Sequence, residues 1–346
     1  MNILSKMIYD EAEKIVDNNV DLFVDNIDGK SILITGASGL IGVNLIACLH
    51  VLNNKYNCNF TVRAINRNEQ LKDLYNFISC NVSSFDLTNE KCNSHYDIII
   101  HAATYGQPGK FLADPIKTLK LNTSVLFDLF ENLNPNGKFL FLSSSEVYSG
   151  LQEVKFLLNE TTETNIGKTT PYHPRACYIE GKRCGETIVD NYKDIFDVKS
   201  IRLALAYGMG TKKDDERVLN TFIRNAILKK KIQLLDLGLA KRTYIYISDA
   251  IEIMWKILFE GKERLYNVGG NEKISILDLA NNIGNILNVS VKLNSNLSLI
   301  GSPVEVDLNI DKIKNEFNPT FTKLNEGLKK TIKWQELLYK KRIKNG

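Results

Sequence analysis

The stretch SILITGASGLIGVNLIACLHVL, residues 31–52, contains the pattern that decides the fold. A β-rich apolar run, SILIT, leads through a glycine-rich turn into a segment with helical character, LIGVNLIACLHVL. Further apolar runs follow at FTVRAIN, YDIII, KFLFL and KSIRLAL, and helical segments separate them. Short apolar strands that alternate with helices indicate a parallel sheet covered on both faces. The sequence therefore predicts an α/β fold with a doubly wound parallel sheet.

The turn TGASGLIG places Gly36, Gly39 and Gly42 between the first strand and the first helix of this pattern. Glycine permits a tight turn and a close approach of the backbone, and the third glycine lets the helix pack closely on the strand. A dinucleotide pyrophosphate binds at a helix N-terminus in this position. Because the turn begins an alternating α/β chain, we interpret it as a Rossmann-type NAD(P) site.

The end of the second strand bears on the choice of nicotinamide cofactor. Sites for NAD usually present Asp or Glu there to hold the ribose hydroxyls, whereas VRAINRN offers Asn66 and Arg67. Arg67 has three interpretations, which are pairing with a 2′-phosphate, stacking on adenine, or a solvated surface position. Taken alone, these two residues lean towards NADP.

The character of the chain changes after Tyr207, where loops rich in Lys, Asp and Asn separate the helical runs VLNTFIRNAIL and AIEIMWKILF. We predict a helical extension over 1–28, an NAD(P)-binding Rossmann domain over 29–206 and a smaller C-terminal α/β domain, mainly substrate-binding, over 207–346. Part of 240–260 is expected to return to the Rossmann domain.

The composition limits the class of protein. The 346 residues carry 44 basic and 40 acidic side chains, and the formal net charge of +4 is too small and too mixed to indicate nucleic-acid binding. The six cysteines show no CxxC pair and no Cys/His ligand spacing, so neither a metal site nor a disulfide framework is expected. The N-terminus lacks a signal-peptide layout, and no apolar run reaches about 18 residues. We expect a soluble cytoplasmic protein with no membrane span.

Tyr178 and Lys182 lie four residues apart in CYIEGKRCGETIVDNY, a segment that reads as a helix. This spacing places both side chains on one helix face. An ammonium near a phenol favours the phenolate, so Lys182 is expected to lower the pKa of Tyr178 towards the range of a general base. A YxxxK pattern is common by chance, and its value here comes from its position about 30 residues after LSSSEVYSG, which ends an apolar strand.

The glycine turn, the serine-rich strand end and the YxxxK helix together resemble the extended short-chain dehydrogenase/reductase family, in its nucleotide-sugar epimerase/dehydratase branch. The similarity includes the motifs FDL, HAAT, DPIKTLKLNT, LSSSEVY, RACYIEGKR and KRTYIYISDAI. DPIKT, RACYxEGKR and SSEVY are most similar to UDP-glucuronate decarboxylase-like proteins. The cofactor contacts that the glycine turn and this resemblance predict are Gly36, Ser38, Gly39, Leu40, Ile41, Gly42, Asn66, Arg67, Asp86, Leu87, Ala102, Ala103, Asn122, Tyr178 and Lys182.

The resemblance also implies a division of catalytic labour. Tyr178 takes the proton of the sugar 4-hydroxyl while a hydride passes from C4 to the nicotinamide. Ser144 hydrogen-bonds the reacting oxygen, and Lys182 holds the cofactor ribose and tunes Tyr178.

The residues that follow Ser143 bear on what happens after C4 is oxidised. Glu146 is implied to lie near C5 and C6, where 4,6-dehydratases of the family use a Glu to remove the C5 proton, and plain 4-epimerases usually lack it. Ser145 replaces an Asp that serves some dehydratases as the acid, whereas other dehydratases and the decarboxylases of the family carry Ser-Glu at these two positions. For Ser143 and Ser149 we predict capping or turn roles, with Ser143 also supporting the site.

Two arginines are candidates for binding the substrate diphosphate. Arg242 in KRTYIYISDAI falls on an arginine with that role in the family, and forked donors suit phosphate. Arg217 is the second candidate, with a surface salt bridge as the alternative. Leu205 replaces an Asn that contacts phosphate in many relatives, which predicts an altered nucleotide position or a substrate that is not UDP-linked. The implied substrate contacts are Tyr105, Ser144, Ser145, Arg217 and Arg242.

The resemblance implies a homodimeric enzyme, of a kind used in polysaccharide biosynthesis, that oxidises C4 of a nucleotide-diphosphate sugar. It then decarboxylates, dehydrates or epimerises the sugar, and a UDP-glucuronate decarboxylase-like reaction is the first choice. A redox-neutral cycle favours retained NAD, so NAD comes first and NADP second, against the lean of Arg67. An NADPH-dependent 4-keto-sugar reductase and a non-enzymatic dinucleotide-sensing scaffold are the alternatives.

Overall fold

Strands and helices alternate along the part of the chain that the structure describes. The computed structural model describes residues 1–66, 81–84, 86–149, 162–293, 305–306 and 308–340. The strands are β1 (Ser31–Thr35), β2 (Thr61–Asn66), β3 (Asn81–Ser84), β4 (Tyr96–His101), β5 (Leu133–Ser144), β6 (Asp197–Leu203), β7 (Leu205–Tyr207), β8 (Lys231–Gln233), β9 (Lys241–Tyr246), β10 (Leu265–Val268), β11 (Lys273–Ser275), β12 (Ser290–Lys292) and β13 (Glu305–Val306). The helices are α1 (Ile3–Asp17), α2 (Val20–Ile27), α3 (Leu40–Tyr56), α4 (Pro108–Ala113), α5 (Pro115–Asn122), α6 (Ser124–Glu131), α7 (Ala176–Asp190), α8 (Val218–Lys229), α9 (Ile247–Glu260), α10 (Ile276–Leu287), α11 (Asp311–Phe317) and α12 (Leu324–Lys340).

A seven-stranded sheet in the order β10-β6-β5-β4-β1-β2-β3 forms the centre of the molecule. Each neighbouring pair in it is parallel. The chain builds outward from β1 in both directions, first through β2 and β3 and then through β4, β5 and β6. Ligands bind at the carboxyl ends of such strands, where the order reverses. The predicted α/β fold with a parallel sheet is confirmed.

Apolar side chains of the central strand alternate between two cores, one on each face of the sheet. Ile32 and Ile34 belong to one buried cluster, and Leu33 between them belongs to the other. The alternation follows from the two-residue period of a strand. Helices therefore have an apolar surface to cover on both sides of β1, which explains the continuous apolar run SILIT.

The extension before β1 forms α1 and α2, and α1 packs along α3. Ile8 and Ile15 are buried there, and each such side chain contributes roughly 2 kcal/mol of hydrophobic stabilisation. Glu11 links α1 to two later helices, because its carboxylate accepts a 2.8 Å hydrogen bond from Ser248 of α9 and lies 3.2 Å from Lys330 Nζ of α12.

The chain after Tyr207 builds smaller sheets and then returns to the large one. Strand β9 pairs with β7 and β13 in parallel and with β11 in antiparallel fashion, and β12 pairs with β8. Helix α9 then packs on α3, and β10 forms an edge of the seven-stranded sheet. The returning elements are therefore α9 and β10, which span Ile247–Val268. Within the described ranges, no helix combines the length and apolar character that crossing a membrane requires.

Candidate active site

The glycine turn connects the carboxyl end of β1 to α3 beside the end of β4. Gly36 has φ +69°, and a Cβ added there would lie 2.6 Å from the carbonyl oxygen of Ala102. A Cβ on Gly42 would lie 2.5 Å from the Gly36 carbonyl oxygen. Gly39 is the N-cap residue of α3 and has no side chain with which to cap it. The turn is therefore tight, and the first N–H groups of α3 lack a side-chain cap from Gly39.

The other predicted cofactor residues lie around this turn and the neighbouring strand ends. Ser38 Oγ accepts a 3.2 Å hydrogen bond from Lys212 Nζ, and Asn66 is buried as the last residue of β2. The Ala103 N–H donates to Thr35 Oγ1 at 3.2 Å. Residues Leu40 and Ile41 begin α3, Ala102 follows β4 and Leu87 is buried after β3, whereas Arg67 lies outside the described residues.

Asp86 and Asn122 lie further along this region. Asp86 pairs with Lys117 of α5; burial acts to raise the pKa of Asp86, but the hydrogen bonds from Lys117 and Thr88 outweigh it and the pKa is lowered. Asn122 ends α5 and is fully buried, and its Nδ2 donates to the Thr118 carbonyl at 2.9 Å. Its Oδ1 is buried with no hydrogen-bond partner among the described residues.

Tyr178 and Ser144 come together between α7 and the end of β5. Tyr178 is 7% exposed, and its ring stacks on Phe111 of α4 with centroids 4.8 Å apart. Burial raises the pKa of Tyr178 to about 12, while a hydrogen bond with Ser144 and the positive charges of Arg175 and Arg217 act to lower it. Tyr178 and Ser144, which are predicted to act on the reacting oxygen, thus lie next to each other, and both are almost fully buried.

Lys182 lies on the same helix face as Tyr178 but is directed at the sheet. It is 1% exposed, its Nζ donates to the carbonyl of Leu142, and it lies 5.9 Å from the centroid of the Tyr178 ring. Burial lowers the pKa of Lys182 to about 7, although Glu186 acts to raise it. Lys182 is not among the groups that act on the pKa of Tyr178 in this arrangement, so its role in lowering that pKa stays a prediction.

The serines at the end of β5 divide their roles differently from the prediction. Ser144 is the N-cap of the short 3₁₀ turn Ser145–Tyr148, and its Oγ accepts from the Glu146 N–H at 3.2 Å. The capping role predicted for Ser143 is wrong, because Ser143 Oγ instead donates to Glu186 Oε1 of α7 at 2.5 Å. Ser149 ends the turn, and its Oγ donates to Glu146 Oε2 at 3.3 Å.

Glu146 forms an ion pair with a residue that the sequence analysis quoted but did not assign. Its Oε1 lies 2.6 Å from Nη2 of Arg175, and the two side chains are 24% and 18% exposed. Arg175 immediately precedes α7, and its guanidinium lies 5.6 Å from the centroid of the Phe111 ring, on which Tyr178 stacks. The one available signal for Arg175 was its place three residues before Tyr178 in RACY.

The two arginines predicted to bind diphosphate are held in different ways. Arg217 Nη2 lies 2.6 Å from Oδ2 of Asp215, which is 5% exposed, so this salt bridge is largely buried rather than on the surface. Arg242 has no carboxylate partner among the described residues, and its Nη1 donates to the Lys241 carbonyl. Burial lowers the pKa of Arg242, and the charges of Glu146 and Arg175 also act on it. These groups therefore share one electrostatic environment.

The remaining predicted residues lie at the same end of the sheet. Tyr105 is partly exposed after β4, Ser145 is partly buried in the 3₁₀ turn, and Leu205 is partly buried in β7. His101 ends β4 with both ring nitrogens engaged, one by Thr35 and one by the Leu121 carbonyl, each at 2.8 Å. Burial lowers the pKa of His101 to about 3, so it is neutral and structural.

Comparison with known proteins agrees with this geometry. The sequence model of the NAD-dependent epimerase/dehydratase family matches residues 32–269. The chain belongs to this family. UDP-glucuronic acid decarboxylase 6 of Arabidopsis thaliana is 27% identical to it over 305 residues, which cover 86% of each protein. UDP-glucose 4-epimerase of Thermotoga maritima has the same fold, with a TM-score of 0.72 and 17% identity over 90% of this chain and 99% of that one. MoeE5, crystallised with UDP-glucuronic acid and NAD, gives a TM-score of 0.70 and 19% identity over 89% and 99%.

The glycine turn fits the dinucleotide that this NAD-dependent epimerase/dehydratase family uses. Side chains at Gly36 and Gly42 would fill the space in which the turn closes on Ala102 and on itself. Gly39 leaves the positive end of α3 accessible to an anion. The residues of this chain that would hold the dinucleotide are therefore those of the glycine turn.

Proposed function

We propose that the protein oxidises C4 of a nucleotide-linked sugar with retained NAD and that the 4-keto sugar then loses carbon dioxide. UDP-glucuronate is the first choice of substrate. The observation that carries this proposal is the Glu146–Arg175 ion pair beside Tyr178 and Ser144. Support comes also from a UDP-glucuronic acid decarboxylase that matches 86% of the chain and from a protein of the same fold that binds UDP-glucuronic acid and NAD.

The first step concerns Ser144 and Tyr178. The Ser144 hydroxyl holds the 4-oxygen of the sugar, and Tyr178 takes its proton as the phenolate. Burial raises the pKa of the Tyr178 phenol to about 12, and the positive charge of a bound NAD would favour the phenolate form. The stacked ring of Phe111 fixes the plane of the Tyr178 ring, and Ser144 is near enough to the phenol to act on its pKa. When bound, NAD supplies the acceptor for the C4 hydride and gives it back at the end of the cycle.

The second step follows from the new C4 ketone, which turns a uronate into a β-keto acid. The C5–C6 bond breaks, carbon dioxide leaves, and the electron pair forms an enolate between C5 and the C4 oxygen. C5 then takes a proton from solvent, C4 regains its hydride, and Tyr178 returns its proton to the 4-oxygen. Loss of carbon dioxide with no net redox change is the overall result.

Glu146 and Ser145 favour decarboxylation over the other two outcomes. Plain 4-epimerisation needs no protein group near C5 and C6, where the resemblance implies that Glu146 lies, and Glu146 is fixed by its ion pair with Arg175. Dehydration across C5 and C6 needs an acid to release the hydroxyl. The Asp that supplies it in some dehydratases is Ser145 here, and the resulting Ser-Glu pair is the one that the decarboxylases and other dehydratases of the family carry. We assign Glu146 to orienting the sugar and the solvent that protonates C5.

Incubation of the purified protein with a panel of UDP- and dTDP-linked hexoses and uronates tests this proposal by mass spectrometry. Loss of carbon dioxide from UDP-glucuronate is expected, without added cofactor and without net NADH formation. Loss of water from a hexose, or stoichiometric consumption of NADPH by a 4-keto sugar, would contradict it and favour a dehydratase or a reductase.

Tyr178→Phe and Tyr172→Phe are a matched pair for this assay. Tyr178→Phe is expected to lower kcat at least about a hundredfold while leaving nucleotide-sugar binding intact. Tyr172 is 94% exposed, so Tyr172→Phe should leave turnover unchanged. Full turnover by Tyr178→Phe would remove the proton-transfer role.

We further propose that the protein is a cytoplasmic homodimer that uses an apolar face of α5 and α6. Ile116, Leu119 and Phe127 are 70%, 40% and 48% exposed, and exposed apolar groups in proximity mark interaction surfaces. Light scattering should show a dimer, and Ile116→Lys should shift it towards the monomer. A monomeric wild type would contradict this part.

A further inference from the structure

Residues 208–212 are packed on the first turns of α3 by unusual backbone geometry. Gly208 and Gly210 have φ of +141° and +101°, and a Cβ on Gly210 would lie 2.8 Å from Val43 Cγ1. The buried Asn44 Nδ2 of α3 donates to the Met209 carbonyl at 2.9 Å. The path of this segment over α3 is therefore fixed by two glycines and a buried amide.

The next residues are fixed from the opposite side by α12. Trp334 Nε1 donates to the Thr211 carbonyl at 2.9 Å in a buried hydrogen bond, and Thr211 Oγ1 donates to the Gly208 carbonyl at 2.8 Å. With its backbone held on both sides, Lys212 extends to the glycine turn, where its Nζ donates to Ser38 Oγ at 3.2 Å. Asp214, two residues on, is paired with Lys110 at 2.8 Å.

This arrangement brings a lysine ammonium to the N-terminal end of a helix. The N-terminus of α3 carries the positive end of its macrodipole, where cations are disfavoured and anions are favoured. The first turn of α3 contains no acidic residue to offset the charge. The position of this ammonium is most favourable electrostatically when an anion lies between it and the N–H groups of the helix.

We propose that Lys212 binds the diphosphate of the dinucleotide cofactor and closes the outer side of its site. The inference rests on the cofactor half of the proposed function and is independent of the sugar chemistry. The segment 211–217 ends at Arg217, whose charge acts on Tyr178. This short segment would therefore contact the cofactor at one end and the substrate site at the other. Tight retention of NAD, which a redox-neutral cycle needs, follows from this second contact.

The test measures cofactor affinity directly, by calorimetry on the full chain after removal of endogenous nucleotide, with no turnover involved. Lys212→Met is expected to weaken NAD and ADP binding by about ten- to a hundredfold, because a charge-assisted hydrogen bond is lost. Lys213→Met is the matched control, since Lys213 is the exposed neighbour. Among the described residues, Tyr339 donates a 3.4 Å hydrogen bond to its carbonyl and no partner is found for its ammonium. Adenosine, which lacks phosphate, should bind equally to all variants.

Lys212→Arg keeps the charge and should keep the affinity within a few-fold, which guards against loss of binding through misfolding. Log affinity for NAD should fall with log salt concentration more steeply in the wild type than in Lys212→Met. Equal NAD affinity in Lys212→Met and Lys213→Met would overturn the inference. A loss confined to NADP would overturn it too, because Lys212 would then contact a 2′-phosphate. Failure of decarboxylation with a normal Lys212 effect would reject only the proposed reaction.

Discussion

Two buried basic residues, Lys182 and Arg202, lie near the end of the strand that carries Ser144, and their pKa values are shifted in opposite directions. Lys182 is 1% exposed and donates to a backbone carbonyl, and burial lowers its pKa to about 7. Arg202 is 3% exposed and forms a two-pronged pair with Glu186 at 2.9 and 2.8 Å. Its pKa is raised, because the partners outweigh the burial that acts to lower it.

The difference in hydrogen-bond partners indicates which of the two residues has a structural role and which can take part in proton transfer. The Arg202 guanidinium donates hydrogen bonds to Glu186, Tyr148 and two loop carbonyls. It therefore stays charged and holds the end of its strand in place. An ammonium without a carboxylate partner in direct contact changes its charge near neutral pH. Arg202 is thus suited to structure, and Lys182 to chemistry.

The largest expected effect is on stability when Arg202 is removed. Arg202→Met leaves the Glu186 carboxylate buried without its partner, and we expect the free energy of unfolding to fall by about 3–5 kcal/mol. Denaturant titration measures the change. The double variant with Glu186→Gln should recover much of the loss; equal loss in the double and the single variant would show that the ion pair is not the cause.

Removal of Lys182 should have the opposite effect on stability. In the folded chain, burial lowers the pKa of Lys182 to about 7, whereas the ordinary value for a lysine is 10.5. Between these pH values the unfolded chain binds more protons, so the stability of the wild type rises with pH across that window. Lys182→Met is therefore expected to raise the free energy of unfolding by about 1–4 kcal/mol at pH 6, to lose that advantage near pH 10, and to abolish turnover. The exposed Lys193→Met is the control. A less stable Lys182→Met at pH 6 would mean that the ammonium is well paired.

Asp249 extends the comparison to an acid and should give the smallest effect. Burial raises its pKa to about 6 against hydrogen bonds from Thr322, so the stability that this group contributes is present below about pH 4 and lost as pH rises through 6. Asp249→Asn should flatten this part of the stability profile. A shift of about two pKa units corresponds to about 3 kcal/mol at pH 7, and loss of one of the two hydrogen bonds from Thr322 offsets about 1–2 kcal/mol, which leaves a gain of about 1 kcal/mol. Asp10→Asn, at an exposed ion pair, should leave the profile unchanged.

The sequence was sufficient for the sheet and for the meeting of Ser144 with Tyr178, because both depend on local periodicity and on strands ending at one edge. It was insufficient to predict that the Lys182 side chain points towards the sheet, since its hydrogen bond to the Leu142 carbonyl depends on how α7 packs on β5. Arg175 was missed because its partner, Glu146, is 29 residues away and neither residue signals an ion pair by itself. Lys212 was missed for the same reason, as Ser38 lies 174 residues earlier.

Glu11, which joins α1 to α9 and α12, has a consequence for folding kinetics. Its hydrogen bond to Ser248 spans 237 residues, and its ion pair with Lys330 joins elements still further apart in the chain. Contacts between such distant residues form late, after most loops are closed. We therefore expect Glu11→Gln to speed unfolding while leaving the refolding rate nearly unchanged, as stopped-flow measurements would show. On this view, the short helical extension sets how long the enzyme stays folded rather than how fast it folds.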